Sequence, residues 1–135
     1  MRLRLCVILA LLLAGCGRLQ RSPETLLPPV VDQVWQRRQV RETSPSPARA
    51  KRAYEAAYTG PGSLTAVVYE LDSSAAALDL AQRWKPAADT VFFCEQNYFA
   101  LVKWDRSDRK ALSGFVRGLQ HVLAPARGAS GPQSQ

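Results

Sequence analysis

The sequence predicts an α+β domain: a mainly antiparallel four-stranded sheet packed with three helices, in the order β-α-β-α-β-β-α. Three observations predict it. Runs rich in β-branched and aromatic residues, such as Leu64 to Leu71 and Thr90 to Trp104, alternate with runs whose apolar residues recur every three or four positions. Gly, Pro, Asn and Ser mark the boundaries between them. The composition, 47% hydrophobic and 21% charged over 135 residues, is that of one globular domain.

The first strand is placed at Val34 to Glu42, carrying Trp35 and Val40. Ser44-Pro45-Ser46-Pro47 breaks it. Ser46 can cap a helix with Pro47 at its first position, where the missing N–H costs nothing. Ala50, Ala53, Tyr54 and Ala57 then fall at i, i+3, i+4 and i+7, so this stretch is assigned as the first helix. Thr59-Gly60-Pro61-Gly62 ends it, and Leu64 to Leu71 is the second strand. Asp72, Ser73 or Ser74 caps the second helix, whose apolar face is Ala77, Leu80, Ala81 and Trp84 and which Pro86 stops.

Thr90 to Glu95 and Tyr98 to Trp104 form a hairpin around Gln96-Asn97, with Asn97 able to take a positive φ. That register pairs Cys94 with Phe99 and Phe92 with Leu101. Ser107 caps the last helix, whose stripe of Leu112, Phe115, Val116, Leu119, Val122 and Leu123 is the strongest in the chain.

Ahead of the domain, Arg2 and Arg4 precede a nine-residue apolar run, Leu5 to Leu13, which ends in Leu13-Ala14-Gly15-Cys16. The run is too short to span a bilayer core, which needs roughly 20 residues, and suits a signal-peptide core. Small residues before a scissile bond fit a narrow peptidase cleft, and a Cys thiol can accept a lipid. The segment resembles the lipobox of bacterial lipoproteins. The resemblance covers this segment alone. It implies diacylglycerol on Cys16, cleavage between Gly15 and Cys16, and acylation of the new amino group. Gly17, where retained lipoproteins often carry Asp, leans toward the outer membrane, facing the periplasm. Residues 1–15 are thus read as signal peptide, 16–29 as a lipid-anchored tether, 30–123 as the single domain and 124–135 as a disordered tail.

Three Cys and one His exclude a multi-disulfide scaffold and a His-rich metal centre. Cys6 leaves with the signal and Cys16 carries lipid, so Cys94 has no intrachain partner. Beside Phe92, Phe99 and Leu101 it reads as a packing residue, since apolar surroundings disfavour the thiolate. Cys94 with His121 is the alternative, as a thiol-redox or nucleophilic pair. His121 otherwise reads as a solvated residue near a helix C-terminus. Gly60-Pro61-Gly62 lacks the ending of a phosphate loop. Gly114 and Gly118 match G-x-x-x-G on a helix too polar for a membrane, so the match is either accidental or permits close helix–sheet approach.

Lys and Arg number 18 against 11 Asp and Glu, a formal charge of +7. Arg37, Arg38, Arg41, Arg49, Lys51 and Arg52 form a candidate basic surface for anionic envelope groups, against the plainer reading of a solvated face. Nucleic acid is not expected outside the cytoplasm. Both hairpin faces are apolar, so either helices cover both or one meets a partner. Phe93, Tyr98, Val102 and Trp104 are the candidate interaction face. The reading is a non-enzymatic, cofactor-free envelope lipoprotein acting as a binding or assembly accessory. A small envelope enzyme, or a ligand-binding lipoprotein with an aromatic cleft near Trp35, Tyr69 and Trp104, stands as the alternative.

Overall fold

The computed structural model describes residues 21–125. The expected signal peptide, Cys16 and the expected disordered tail beyond Pro125 lie outside the described residues. Helix α1 (Pro23–Leu26) is followed by strands β1 (Val30–Val31) and β2 (Trp35–Thr43), a 3-10 turn (Ser46–Ala48), β3 (Arg52–Thr59) and β4 (Ser63–Glu70). Helix α2 (Ser74–Arg83), the hairpin β5 (Thr90–Glu95) and β6 (Tyr98–Arg106), and helix α3 (Arg109–Leu123) complete it. The class is α+β, but the sheet has six strands, not four, in the order β1-β2-β3-β4-β6-β5. Every neighbouring pair is antiparallel.

The predicted first helix is strand β3. Ala53, Tyr54 and Ala57 satisfy a helical period by accident, because alanine fits either geometry and has high helix propensity. Tyr54, Ala56 and Tyr58 also satisfy a period of two, and all three are buried on one face. Registered pairing along both edges decides between the periods: Ala56 lies between Val40 of β2 and Ala66 of β4. Ser46 and Pro47 therefore start only a single 3-10 turn, which Arg49 closes in the left-handed region at φ 51°.

The tether reading of 16–29 is corrected for residues 21–29, and residues 16–20 lie outside the described residues. Ser22 caps α1 through its side chain, and Leu26 and Leu27 are both 0% exposed. Such burial makes residues from Arg21 onward part of the domain. Among the described residues the helix count of three survives only because α1 replaces the helix that became β3.

Two clusters flank the sheet. The larger holds Trp35, Tyr54, Tyr58, Val68, Val102 and the α3 residues Phe115, Leu119 and Leu123, sealed by Leu26 and Leu27. Phe115 meets the rings of Tyr58 and Trp35 edge-on, with centroids 4.9 and 5.7 Å apart. The smaller holds Ala53, Tyr69, Phe99, Ala77 and Leu80, under α2. Apolar residues on both faces of β3, β4 and β6 follow from helices on both sides.

Local signals set the ends. Ser73 caps α2, accepting from the Ala76 amide at 3.0 Å. Asp108, not the predicted Ser107, caps α3, accepting from the Ala111 amide at 2.7 Å. Cys94 pairs with Phe99 and Phe92 with Leu101, the register read from the sequence. The left-handed residue of that turn is Gln96, at φ 57°, not Asn97. Asn97 is engaged otherwise: its side-chain amide donates to the Leu71 carbonyl and its own carbonyl accepts from the Leu71 amide.

Gly114 and Gly118 do allow a close approach. A Cβ on Gly118 would stand 2.9 Å from Cγ1 of Val31, and one on Gly114 would meet the carboxylate of Asp32. Successive turns of α3 thus rest against β1 and the loop that follows it.

Candidate functional site

The strands run between two ends of the sheet. The Gly60-Pro61-Gly62 turn, Arg106 and the N-terminus of α3 mark one end. The Gln96-Asn97 turn, Glu70 and Leu71 mark the other. The chain enters at this second end. The Arg21 guanidinium donates to the Val122 carbonyl at 2.7 Å and lies over the Tyr98 ring, 5.8 Å from its centre. Both contacts satisfy groups that α3 and β6 leave open: a carbonyl in the last helical turn and an aromatic face. Together Arg21, Gln96, Asn97, Tyr98, His121, Val122 and the chain beyond α3 line a cleft of about 820 Å³.

The entering segment is then fastened along its length. Arg37 donates from its guanidinium to the Leu27 carbonyl at 2.6 Å and from its backbone amide to the Pro29 carbonyl at 2.8 Å. The Tyr58 hydroxyl donates to the Pro28 carbonyl at 2.8 Å. Burial pushes the Tyr58 hydroxyl well above the usual tyrosine range, and the nearby Arg37 charge offsets only part of that. Tyr98 is also raised, by burial first and then by Glu70, with Arg21 opposing.

Cys94 and His121 are not brought together. Cys94 is half-buried and packs with the α2-side cluster beside Phe99. His121 is exposed on α3, which packs on the opposite face of the sheet. The sheet itself separates thiol from imidazole. Among the described residues no group of three or more His, Cys, Asp and Glu is placed to hold a metal ion, and no helix is long and apolar enough to cross a membrane.

Of the candidate interaction face, Tyr98 and Val102 are buried in the larger cluster, while Phe93 and Trp104 pack partly buried against it. Of the two alternatives, the helices cover both faces there. What stays open is a cleft of about 570 Å³ between the edge strand β5 and α3. Val91, Trp104, Leu112 and Val116 form its apolar walls, with Arg109 and Arg117 at its rim. Trp35 and Tyr69 do not contribute to a shared aromatic cleft. Trp35 is wholly buried in the larger cluster and Tyr69 belongs to the smaller one, across the sheet.

The candidate basic residues divide. Arg41 pairs with Glu55 at 2.8 Å, Lys51 with Asp72 at 3.5 Å and Arg52 with Glu70 at 3.5 Å. Arg37 is spent on the entering segment and Arg38 donates to the Thr59 hydroxyl at 2.6 Å. Arg49 is exposed. Their acid partners make this a mixed surface and weaken its field.

Sequence reasoning missed Arg21 and the cleft it lines. Ser22-Pro23 followed by Leu26-Leu27 was the available signal: a helix cap with proline at the first position, then a buried pair. Compared with family models, curated proteins and solved structures, the chain matches none.

Proposed function

We propose that the protein is a lipid-anchored envelope lipoprotein whose single domain serves as a non-enzymatic binding or assembly accessory, held at the outer membrane and facing the periplasm. The observation that carries the reading is Leu13-Ala14-Gly15-Cys16 behind two arginines and a nine-residue apolar run. The lipid bilayer is the first partner, through acylated Cys16. Three acyl chains, at about 0.8 kcal/mol per buried methylene, hold it there without help from the domain. An envelope protein or an anionic envelope surface is the second.

The fold agrees with that role in one respect. Its two apolar sheet faces are packed by its own helices, so the domain stands alone at the end of its anchor. The open β5–α3 cleft, with Trp104 at its wall and Arg109 and Arg117 at its rim, favours a second reading as a ligand-binding lipoprotein for an anionic amphiphile.

The test of the anchor is Cys16→Ala. Expressed beside the wild type and followed with radiolabelled palmitate and membrane fractionation, it should lose both label and membrane association. Unchanged labelling would sink the proposal. Pull-down from detergent-solubilised membranes, compared with binding of a fluorescent fatty acid, separates the accessory role from the ligand-binding one.

A further inference from the structure

The first described residue of the domain is fixed, and little chain separates it from the anchor. Residues 17–20 are all that lies between Cys16 and Arg21. Even fully extended, at about 3.6 Å per residue, the five steps from Cys16 to Arg21 reach roughly 18 Å. Arg21 itself is held by the Val122 carbonyl and the Tyr98 ring. The buried Leu26 and Leu27 and the hydrogen bonds to Leu27, Pro28 and Pro29 allow no slack beyond it. A domain of about 100 residues is roughly 33 Å across. The leash is therefore shorter than the body it holds.

The structure points to a fixed presentation: we propose that the end carrying Arg21, the Gln96-Asn97 turn and the C-terminus of α3 rests on the headgroup surface of the bilayer. The opposite end, with Asp32, Pro61 and Asp105, is then presented away from it. This rests on the reading of Cys16 as the lipidated residue. The two ends are well separated. β4 alone, from Ser63 to Glu70, spans about 23 Å at 3.3 Å per residue. The 15 residues of α3 cover about 22 Å back from Arg109 to Leu123. The far end therefore lies beyond the reach of an 18 Å leash fixed at Arg21. The near end also has suitable chemistry. The guanidinium of Arg21, the amides of Gln96 and Asn97 and the imidazole of His121 line one open cleft, and each can donate to a phosphate oxygen. The β5–α3 cleft runs along the side of the body, where a bound partner or ligand clears the membrane.

The acylated full-length protein in vesicles of phosphatidylethanolamine and phosphatidylglycerol, doped with a headgroup nitroxide lipid, tests this. A fluorophore is placed through Gln96→Cys or Pro61→Cys in a Cys94→Ala background. The label at position 96 should be quenched several-fold more than the label at position 61. A Gly/Ser insert of about 20 residues after Gly17, which reaches well past the body when extended, should bring the two close to equal. Equal quenching without the insert, or stronger quenching at position 61, overturns the proposal; a bias toward position 96 that survives the insert keeps the orientation and assigns it to the Arg21 cleft rather than to the leash. The acyl chains on Cys16 are checked by mass in the same preparation. With acyl chains present, equal quenching removes the orientation alone; with none, the anchor reading falls with it. If the labelled variants do not fold, hydrogen exchange on the unsubstituted chain serves instead. Vesicle anchoring should slow amides at Gln96 to Tyr98 and leave those at Asp32 and Gln33 unchanged, and the reverse pattern overturns the orientation.

Discussion

The hydroxyl of Tyr58, near the end of β3, donates to the carbonyl of Pro28 across 2.8 Å. Tyr58 is fully buried under Phe115, so its ring fills the core while its polar tip fastens the entering chain. Tyr58→Phe should lower stability by about 1–2 kcal/mol in urea unfolding, since it leaves a part-buried carbonyl without its donor. A loss near zero would mean that solvent replaces the bond freely.

The same residue sets an alkaline limit. Tyr58, Tyr69 and Tyr98 are all raised in the fold, each chiefly by burial. The folded state keeps its protons where the unfolded chain, at the ordinary value of 10.0, gives them up. Their contribution is therefore complete below pH 10 and declines as pH rises above it. Thermal unfolding at stepped pH should show this decline, and Tyr58→Phe should make it shallower. An unchanged slope counts against Tyr58 as a source.

Leu27→Ala separates a docked segment from a loose tether. Burial predicts a loss of about 2–5 kcal/mol, whereas a residue in a tether loses almost nothing. Urea midpoints of the two proteins, at equal denaturant dependence, give the answer.

Phe115→Ala removes the ring shared by Trp35 and Tyr58. The expected loss is about 3–5 kcal/mol, a large part of a typical domain's stability. A loss below about 1 kcal/mol in the same assay contradicts the packing of α3 on the sheet.

The two α3 glycines should respond oppositely to alanine. Each change adds about 1 kcal/mol of helix propensity. At Gly114 the obstacle is the carboxylate of exposed Asp32, which can rotate away, so Gly114→Ala should be neutral or stabilising. At Gly118 the obstacle is Val31, 3% exposed and held in β1, so Gly118→Ala should destabilise by about 1 kcal/mol. Equal effects in thermal melts would show that β1 yields to α3.

Cys94→Ala should cost about 1 kcal/mol and leave the thiol's absence otherwise unnoticed, because Cys94 packs beside Phe99 on the α2 side. Native Cys94 should react slowly with a maleimide and at full rate once unfolded. Fast native reaction would restore a thiol-based function.

The sequence by itself determined the elements whose signals are local. A cap among Asp72, Ser73 and Ser74 before the Ala77, Leu80, Ala81 stripe places α2, and the β5–β6 hairpin falls on Gln96-Asn97 with Cys94 opposite Phe99. The Phe115, Leu119, Leu123 stripe places α3 and names its buried face. A cap, a turn or a stripe is written within a dozen residues, so it is legible there. Tertiary structure decided the rest. Alanine-rich β3 fits two periods, and only edges offered by Val40 of β2 and Ala66 of β4 select the strand. Val30 and Val31 become a strand only because Gln36 and Trp35 stand opposite. The entering segment is ordered by partners far along the chain: Arg21 by Val122, and Pro28 by Tyr58. A hydrogen bond or a buried methyl across 30 or 100 residues leaves no trace in local pattern, because its free energy belongs to a contact that exists only once the sheet and α3 have closed.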